Sequence, residues 1–317
     1  MAYPTADAPT ALPSHPFDEL TTTTRDGLQL ASRHYRPLAP PATPRRPVLC
    51  LPGLTRNSRD FHVVASALAG DADGRFGGGR HIYTLDFRGR GRSDRDKDPK
   101  NYAVTVEALD VLDVMAAHDL SDVAILGTSR GGLVAMVLAV IQPSAIGAVI
   151  MNDIGPVLEI DGLSRIVGYV GKTPMPHSWP DAVRVVKDIN ARHFTRMSDA
   201  DWDRIARQLF DDVDGKPAAN YDPAIAGSIS VLKTPLPDMW PQFEALNGVP
   251  IMVLRGENSD LLSAATVAEM GRRHPNLTAH TVRWQGHAPW LDDADTIDVI
   301  ARFLNSSDQP AGQLGPR

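Results

Sequence analysis

Val123-Ala124-Ile125-Leu126, followed at once by Gly127-Thr128-Ser129-Arg130-Gly131-Gly132, decides how this chain folds. The four apolar residues read as a buried strand, and an apolar helix over residues 133–141 follows the glycines. A serine is therefore held at a sharp strand-to-helix break. So tight a turn forces the serine into strained backbone geometry. It also brings neighbouring main chain so close that a Cβ at the flanking glycines would clash. In return the hydroxyl projects clear of the sheet, with a helix N-terminus and the Arg130 N–H beside it to stabilise an oxyanion. Gly-x-Ser-x-Gly alone is common by chance; the strand before it and the helix after it make the signal specific.

Outward from this turn, strands and helices alternate. Upstream, residues 48–51 form a strand, and residues 58–68 a helix with Phe61, Val64 and Leu68 on one face. A strand over 81–87 follows the cluster Gly77-Gly78-Gly79, and a helix over 104–118 leads to the serine's strand. Downstream come strands at 148–151, 250–254 and 278–284, and helices at 264–273 and 294–304. Alternation of this kind predicts an α/β fold with a mostly parallel central sheet flanked by helices on both faces. Ahead of it, alternation from Leu20, a turn at Asp26-Gly27 and renewed alternation through Leu28, Leu30 and Ser32 predict a β-hairpin. The proline-rich stretch 37–47, around Arg45 and Arg46, is an irregular connector.

The rhythm breaks between Pro156 and Pro241. Helical patterns appear at 163–170, 182–194 and 201–210, the last with Ser198 as N-cap, and no strand-like run of comparable quality intervenes. The expected organisation is a flexible N-terminal tail over 1–19, an α/β core formed by 20–155 and 241–317, and a helical lid over 156–240. There are no internal repeats.

The 317 residues suffice for two ordinary domains or for one large α/β domain with an insertion. A hydrophobic content of 43% with 22% charged residues is that of a globular protein with ample core material. The formal charge of −6 argues against a nucleic-acid partner. Cys50, the single cysteine, sits in an apolar run as a buried inert thiol. The first twenty residues lack a secretory pattern, and no stretch has the length of a membrane span, so a cytoplasmic protein with no membrane partner is expected.

A serine hydroxyl is a poor nucleophile until an oriented base takes its proton. His287, in Gln285-Gly286-His287-Ala288-Pro289, follows the strand that ends near Trp284. Asp260 lies in the loop after Ile251-Met252-Val253-Leu254-Arg255-Gly256. Both share with Ser129 the edge beyond the carboxyl ends of parallel strands, where sites form in open α/β sheets. Asp153, in Met151-Asn152-Asp153, is the alternative acid.

These residues resemble those of α/β-hydrolase fold serine hydrolases, in the lidded branch of esterases and carbon–carbon hydrolases. The likeness spans residues 20–304 and is carried by Leu51-Pro52-Gly53-Leu54, by Asp86-Phe87-Arg88-Gly89-Arg90-Gly91-Arg92-Ser93, by the Ser129 turn, and by the Asp260 and His287 loops. It implies that Ser129 attacks an acyl carbon, that His287 acts as general base and then acid, and that Asp260 orients the imidazole. It also implies an oxyanion hole from the backbone N–H groups of Leu54 and Arg130. The chain departs from the family in carrying Pro52-Gly53 where His-Gly is usual, although Leu54 keeps its N–H.

Other groups have two readings. The Arg130 side chain either packs behind the turn in an ion pair or binds a substrate carboxylate. The run Arg88 to Arg95 reads as a structured turn in which Asp86 and Ser93 satisfy backbone groups, because a nucleotide loop's third glycine and ribose-binding acid are missing. His62, His118, His177 and His193 show no paired metal-ligand spacing, so neither metal nor cofactor is expected. Trp179, Tyr169, Met175 and Trp240 either line an acyl pocket or hold lid helices together, and Trp290 belongs near the site. The expected function is a carboxylesterase-like hydrolase of small esters working through an acyl-enzyme, with a small-molecule ester as partner and a homodimer as one assembly. Its rivals are a carbon–carbon bond hydrolase or enol-lactonase with the same three residues, and a non-catalytic receptor or scaffold of the same fold.

Overall fold

Eight of the short runs pair into one sheet in the computed structural model, which describes residues 15–39, 41, 43–70, 76, 78–233 and 238–308. The chain opens with strands β1 (Asp18–Thr23) and β2 (Gln29–Tyr35), an antiparallel hairpin. Then come β3 (Val48–Leu51), α1 (His62–Gly70), β4 (Ile82–Leu85), α2 (Val104–Ala117), β5 (Val123–Thr128), α3 (Arg130–Ile141) and β6 (Ile146–Asn152). The inserted region holds α4 (Ile160–Tyr169), α5 (Trp179–Asn190), α6 (Asp199–Leu209), and a separate pair of strands, β7 (Phe210–Val213) and β8 (Lys216–Ala219). After α7 (Trp240–Glu244), alternation resumes with β9 (Ile251–Gly256), α8 (Ala264–Arg273), β10 (Leu277–Val282) and α9 (Ala294–Ser307).

The strand order is β1-β2-β4-β3-β5-β6-β9-β10, antiparallel as far as β4 and parallel from there on. Every residue of β3, β4 and β6 is buried, as a parallel strand covered on both faces requires. On one face, Val64 and Leu68 of α1 join Ile297, Ile300 and Leu304 of α9 in a cluster with Cys50 and Leu126. Burial pushes the Cys50 thiol pKa up, which suits an inert core residue. On the other face, α2, α3 and α8 contribute Val111, Val134, Leu138 and Met270. With helices on both faces, the carboxyl edge of the parallel strands is left to carry loops.

Part of the expected tail is ordered. Residues 1–14 lie outside the described residues, but β1 begins at Asp18, and Phe17 packs on Tyr35 with ring centroids 5.2 Å apart. In the insertion the three expected helices form, each starting earlier in the chain than its apolar pattern. Caps set the start of α5 and α6: Ser178 Oγ accepts from the Asp181 N–H, and Ser198 and Asp201 form a reciprocal capping box. The β7–β8 hairpin is an addition to the all-helical expectation. Its turn sits at Asp214 (φ 50°) and Gly215 (φ 76°), the pair of left-handed residues a two-residue hairpin loop demands. Among the described residues no helix is long and apolar enough to cross a membrane.

Candidate active site

The backbone at Ser129 has φ 50° and ψ −111°, a conformation rarely occupied by a residue with a side chain. Such strain costs on the order of 1–3 kcal/mol and persists only where the surroundings impose it. They do so here. A Cβ at Gly127 would lie 2.6 Å from the Gly131 carbonyl carbon, and one at Gly131 would overlap the Leu51 carbonyl. Strand β5, the turn and the start of α3 therefore pack as one unit.

His287 lies against the Ser129 hydroxyl, with Nε2 2.9 Å from Oγ. Its Nδ1 is 2.8 Å from Asp153 Oδ2. An ionised carboxylate only accepts, so Nδ1 carries the proton and Nε2 of the neutral ring is left to accept from Ser129. Asp153 follows β6 directly and has no solvent exposure. Its Oδ1 accepts from the Gly256 N–H at 2.7 Å, and its Oδ2 also accepts from Ser259 Oγ at 2.5 Å. A buried carboxylate supplied with this many donors is held in one orientation.

This corrects the expectation for Asp260. Its carboxylate receives Arg165 Nε at 2.6 Å and Nη2 at 2.8 Å from helix α4, and His193 Nε2 lies 3.7 Å away. Burial opposes its ionisation, but the Arg165 hydrogen bonds and charge outweigh that and hold the carboxyl below its ordinary range. Asp260 thus fastens the insertion to the loop after β9, and the imidazole partner is Asp153.

Arg130 follows Ser129 directly, and Leu54 lines the same cavity as the serine. A Cβ on Gly53, beside Leu54, would be 3.8 Å from Ser129 Cβ, so the loop after β3 passes close to the serine. The Arg130 N–H opens helix α3, where first-turn donors have no intrahelical acceptor. The Arg130 side chain turns away and resolves its two readings: Nε donates to Glu107 Oε2 at 2.6 Å and Nη2 to the Tyr102 carbonyl at 2.7 Å. Glu107, fully buried in α2, also pairs with Arg90 at 2.8 Å. Arg90 Nε in turn donates to the Leu54 carbonyl at 2.8 Å. One carboxylate therefore links the peptide beside Ser129 to the loop facing it. The turn holding Arg90 is built as its sequence suggested: Asp86 accepts from the N–H groups of Ser58 and Arg92, and Ser93 Oγ donates to the Asp86 carbonyl.

Ser129 and His287 open onto a cavity of about 220 Å³ between the sheet edge and the insertion. Of the five residues expected around it, Tyr169, Met175 and Trp290 line it, as does Leu54. Trp240 and Trp179 do not. Trp240 stands edge-on to Phe243 with Arg273 over its ring, and Trp179 packs within the insertion beneath Arg207. Arg56, Phe210 and Tyr221 are lining residues that the sequence did not single out. Among the described residues no group of three His, Cys, Asp or Glu side chains is arranged to hold a metal ion.

The chain belongs to the alpha/beta hydrolase fold family, whose model matches residues 46–293. A 3-hydroxybutyrate-oligomer hydrolase of Cupriavidus necator is 32% identical over 282 residues, covering 86% of this chain and 92% of that protein. An alpha/beta hydrolase from Novosphingobium aromaticivorans, known by its crystal structure, is 37% identical with a TM-score of 0.82, over 92% of this chain and 99% of that one. A 2-(acetamidomethylene)succinate hydrolase of Mesorhizobium japonicum is 26% identical, covering 80% of this chain and 86% of that protein. The fold and these relatives' names support hydrolase activity.

Proposed function

We propose that this chain is a serine hydrolase of small carboxylic esters that works through an acyl-enzyme. The observation that carries this reading is the unbroken hydrogen-bond path from Asp153 through His287 to Ser129 on the floor of the cavity. Ser129 Oγ attacks the acyl carbon as His287 Nε2 takes its proton. The N–H groups of Leu54 and Arg130 hold the oxyanion of the tetrahedral intermediate. His287 then returns the proton to the departing alkoxide, and the same imidazole activates the water that releases the acid. Asp153 keeps the ring in its tautomer and stabilises the imidazolium, the role the sequence had suggested for Asp260. The insertion serves as the lid.

The Cupriavidus necator relative makes a short hydroxyacyl ester a first substrate to try. Ser129→Ala is expected to lower turnover of p-nitrophenyl butyrate by about 10⁴-fold or more while the protein stays folded. Hydrolysis retained in that variant overturns the assignment. Fluorophosphonate labelling of Ser129 separates this reading from a scaffold that has lost turnover. The rival carbon–carbon or lactone chemistry drew support from Arg130 as a carboxylate anchor, and Glu107 occupies that guanidinium.

A further inference from the structure

Arg56 is the one Arg or Lys among the described residues lining the cavity. It sits close to the nucleophile: a Cβ on Gly53 would be 3.2 Å from Arg56 Cγ and 3.8 Å from Ser129 Cβ. One edge of its guanidinium is fixed. Nε donates to Asp60 Oδ2 at 2.5 Å and Nη2 to Oδ1 at 2.8 Å. The plane is fixed too, since Cζ lies 4.2 Å from the Trp290 ring centroid. Nη1 donates to none of the described residues, so the guanidinium is rigidly held with one edge unused. A second donor lies in the same wall: Trp290 is 7% exposed, and its buried Nε1–H has no acceptor among the described residues. A free guanidinium edge and an unpaired indole N–H beside it, in a cavity otherwise walled by side chains such as Phe61, Ile166, Val186 and Leu291, offer two donors to an acceptor on the ligand.

Resting on the ester-hydrolase reading above, we infer that Arg56 anchors a carboxylate carried by the alcohol part of the substrate. The substrates of this class are esters in which a hydroxy acid is acylated on its hydroxyl and keeps its own carboxyl group free. The side of the scissile bond follows from Trp290, three residues beyond His287 in the same loop. His287 delivers its proton to the departing oxygen, so a guanidinium stacked on that loop faces the leaving group. A rigid fork recognises a carboxylate with little loss of side-chain freedom. Asp60 also lines the cavity and offsets part of the positive charge, which keeps the expected discrimination moderate.

The test compares two substrates that share one scissile ester: the linear dimer of 3-hydroxybutyrate with a free terminal carboxyl group, and the same dimer with that group as a primary amide. The wild type is expected to favour the acid by about tenfold in kcat/KM, the gain of a charge-assisted hydrogen bond at a partly open site. In Arg56→Gln and Arg56→Met this acid-to-amide ratio falls to about one. A purely structural role for Arg56 would depress both substrates and leave the ratio in place, which overturns the inference. A wild-type ratio of one overturns it too, and needs no variant to fold. If p-nitrophenyl butyrate is still cleaved in a Ser129-dependent way at that ratio, the carboxylate site fails and the esterase reading stands. Ester hydrolysis independent of Ser129 removes both.

Discussion

Asp153 and Asp260 follow neighbouring strands of the same sheet, yet they live under different physics. Asp153 is shut away from solvent and accepts from Gly256, Ser259 and His287, all held by the strand ends or the short loops beyond them. Asp260 keeps 16% of its side chain exposed and is matched by Arg165, which the chain brings in from 95 residues away on helix α4. The first environment is built by the sheet, where backbone registers leave no latitude. The second is an ion pair at the seam with the insertion, where water competes and the coupling is weaker. Position beyond a strand end is therefore not enough to make a carboxylate the partner of an imidazole; what donates to it decides.

The largest test of this contrast is to neutralise each acid in turn. Asp153→Asn should lower kcat for p-nitrophenyl butyrate by about 10³- to 10⁴-fold, because the amide cannot hold His287 in the required tautomer. Asp260→Asn should stay within about threefold of wild type, since it removes one seam contact and no reacting group. Equal losses in the two variants would erase the distinction.

Next in size is the buried link beneath the site. Glu107→Ala leaves Arg90 and Arg130 buried without their partner, and is expected to lower unfolding free energy by about 3–5 kcal/mol in urea titrations. Turnover should fall as well, because the Leu54 carbonyl loses a fixed Arg90. A neutral result would mean that the strand edge is positioned by its backbone alone.

The smallest effect is a pH dependence at the seam. The folded-state pKa of Asp260 is depressed, so its contribution to stability is present above the ordinary carboxylate value of about 4 and is lost as pH falls through the folded value. The thermal midpoint of Asp260→Asn should lie slightly below that of wild type at pH 7, and the gap should close on acidification. A gap that widens at low pH would assign the pair the wrong sign.

Much of the site was legible because its signals are local. The glycines about Ser129, the strand before it and the loop containing His287 are short-range patterns whose geometry backbone sterics fix. So is the Asp86 turn, where side chains bond main chain a few residues away. The hairpin β7–β8 was legible and passed over: Asp214-Gly215 is a strong turn pair, but its flanks, Asp211, Asp212 and Lys216, are polar and do not read as strands. Trp240 and Trp179 carried no local sign of their placement, since an aromatic in an amphipathic helix reads alike whether it faces a cavity or a neighbouring helix.

By itself, the sequence determined the alternating architecture, the strained serine turn, the histidine at the same sheet edge and the presence of an insertion, because each follows from periodicity or from steric limits within a few residues. Only the tertiary structure decided which acid meets His287, that Arg130 is consumed by Glu107, and that Arg56 stands in the cavity. Those outcomes depend on which groups from distant segments the fold brings to each donor or acceptor. Buried polar groups must be matched, and only the assembled chain fixes the matches.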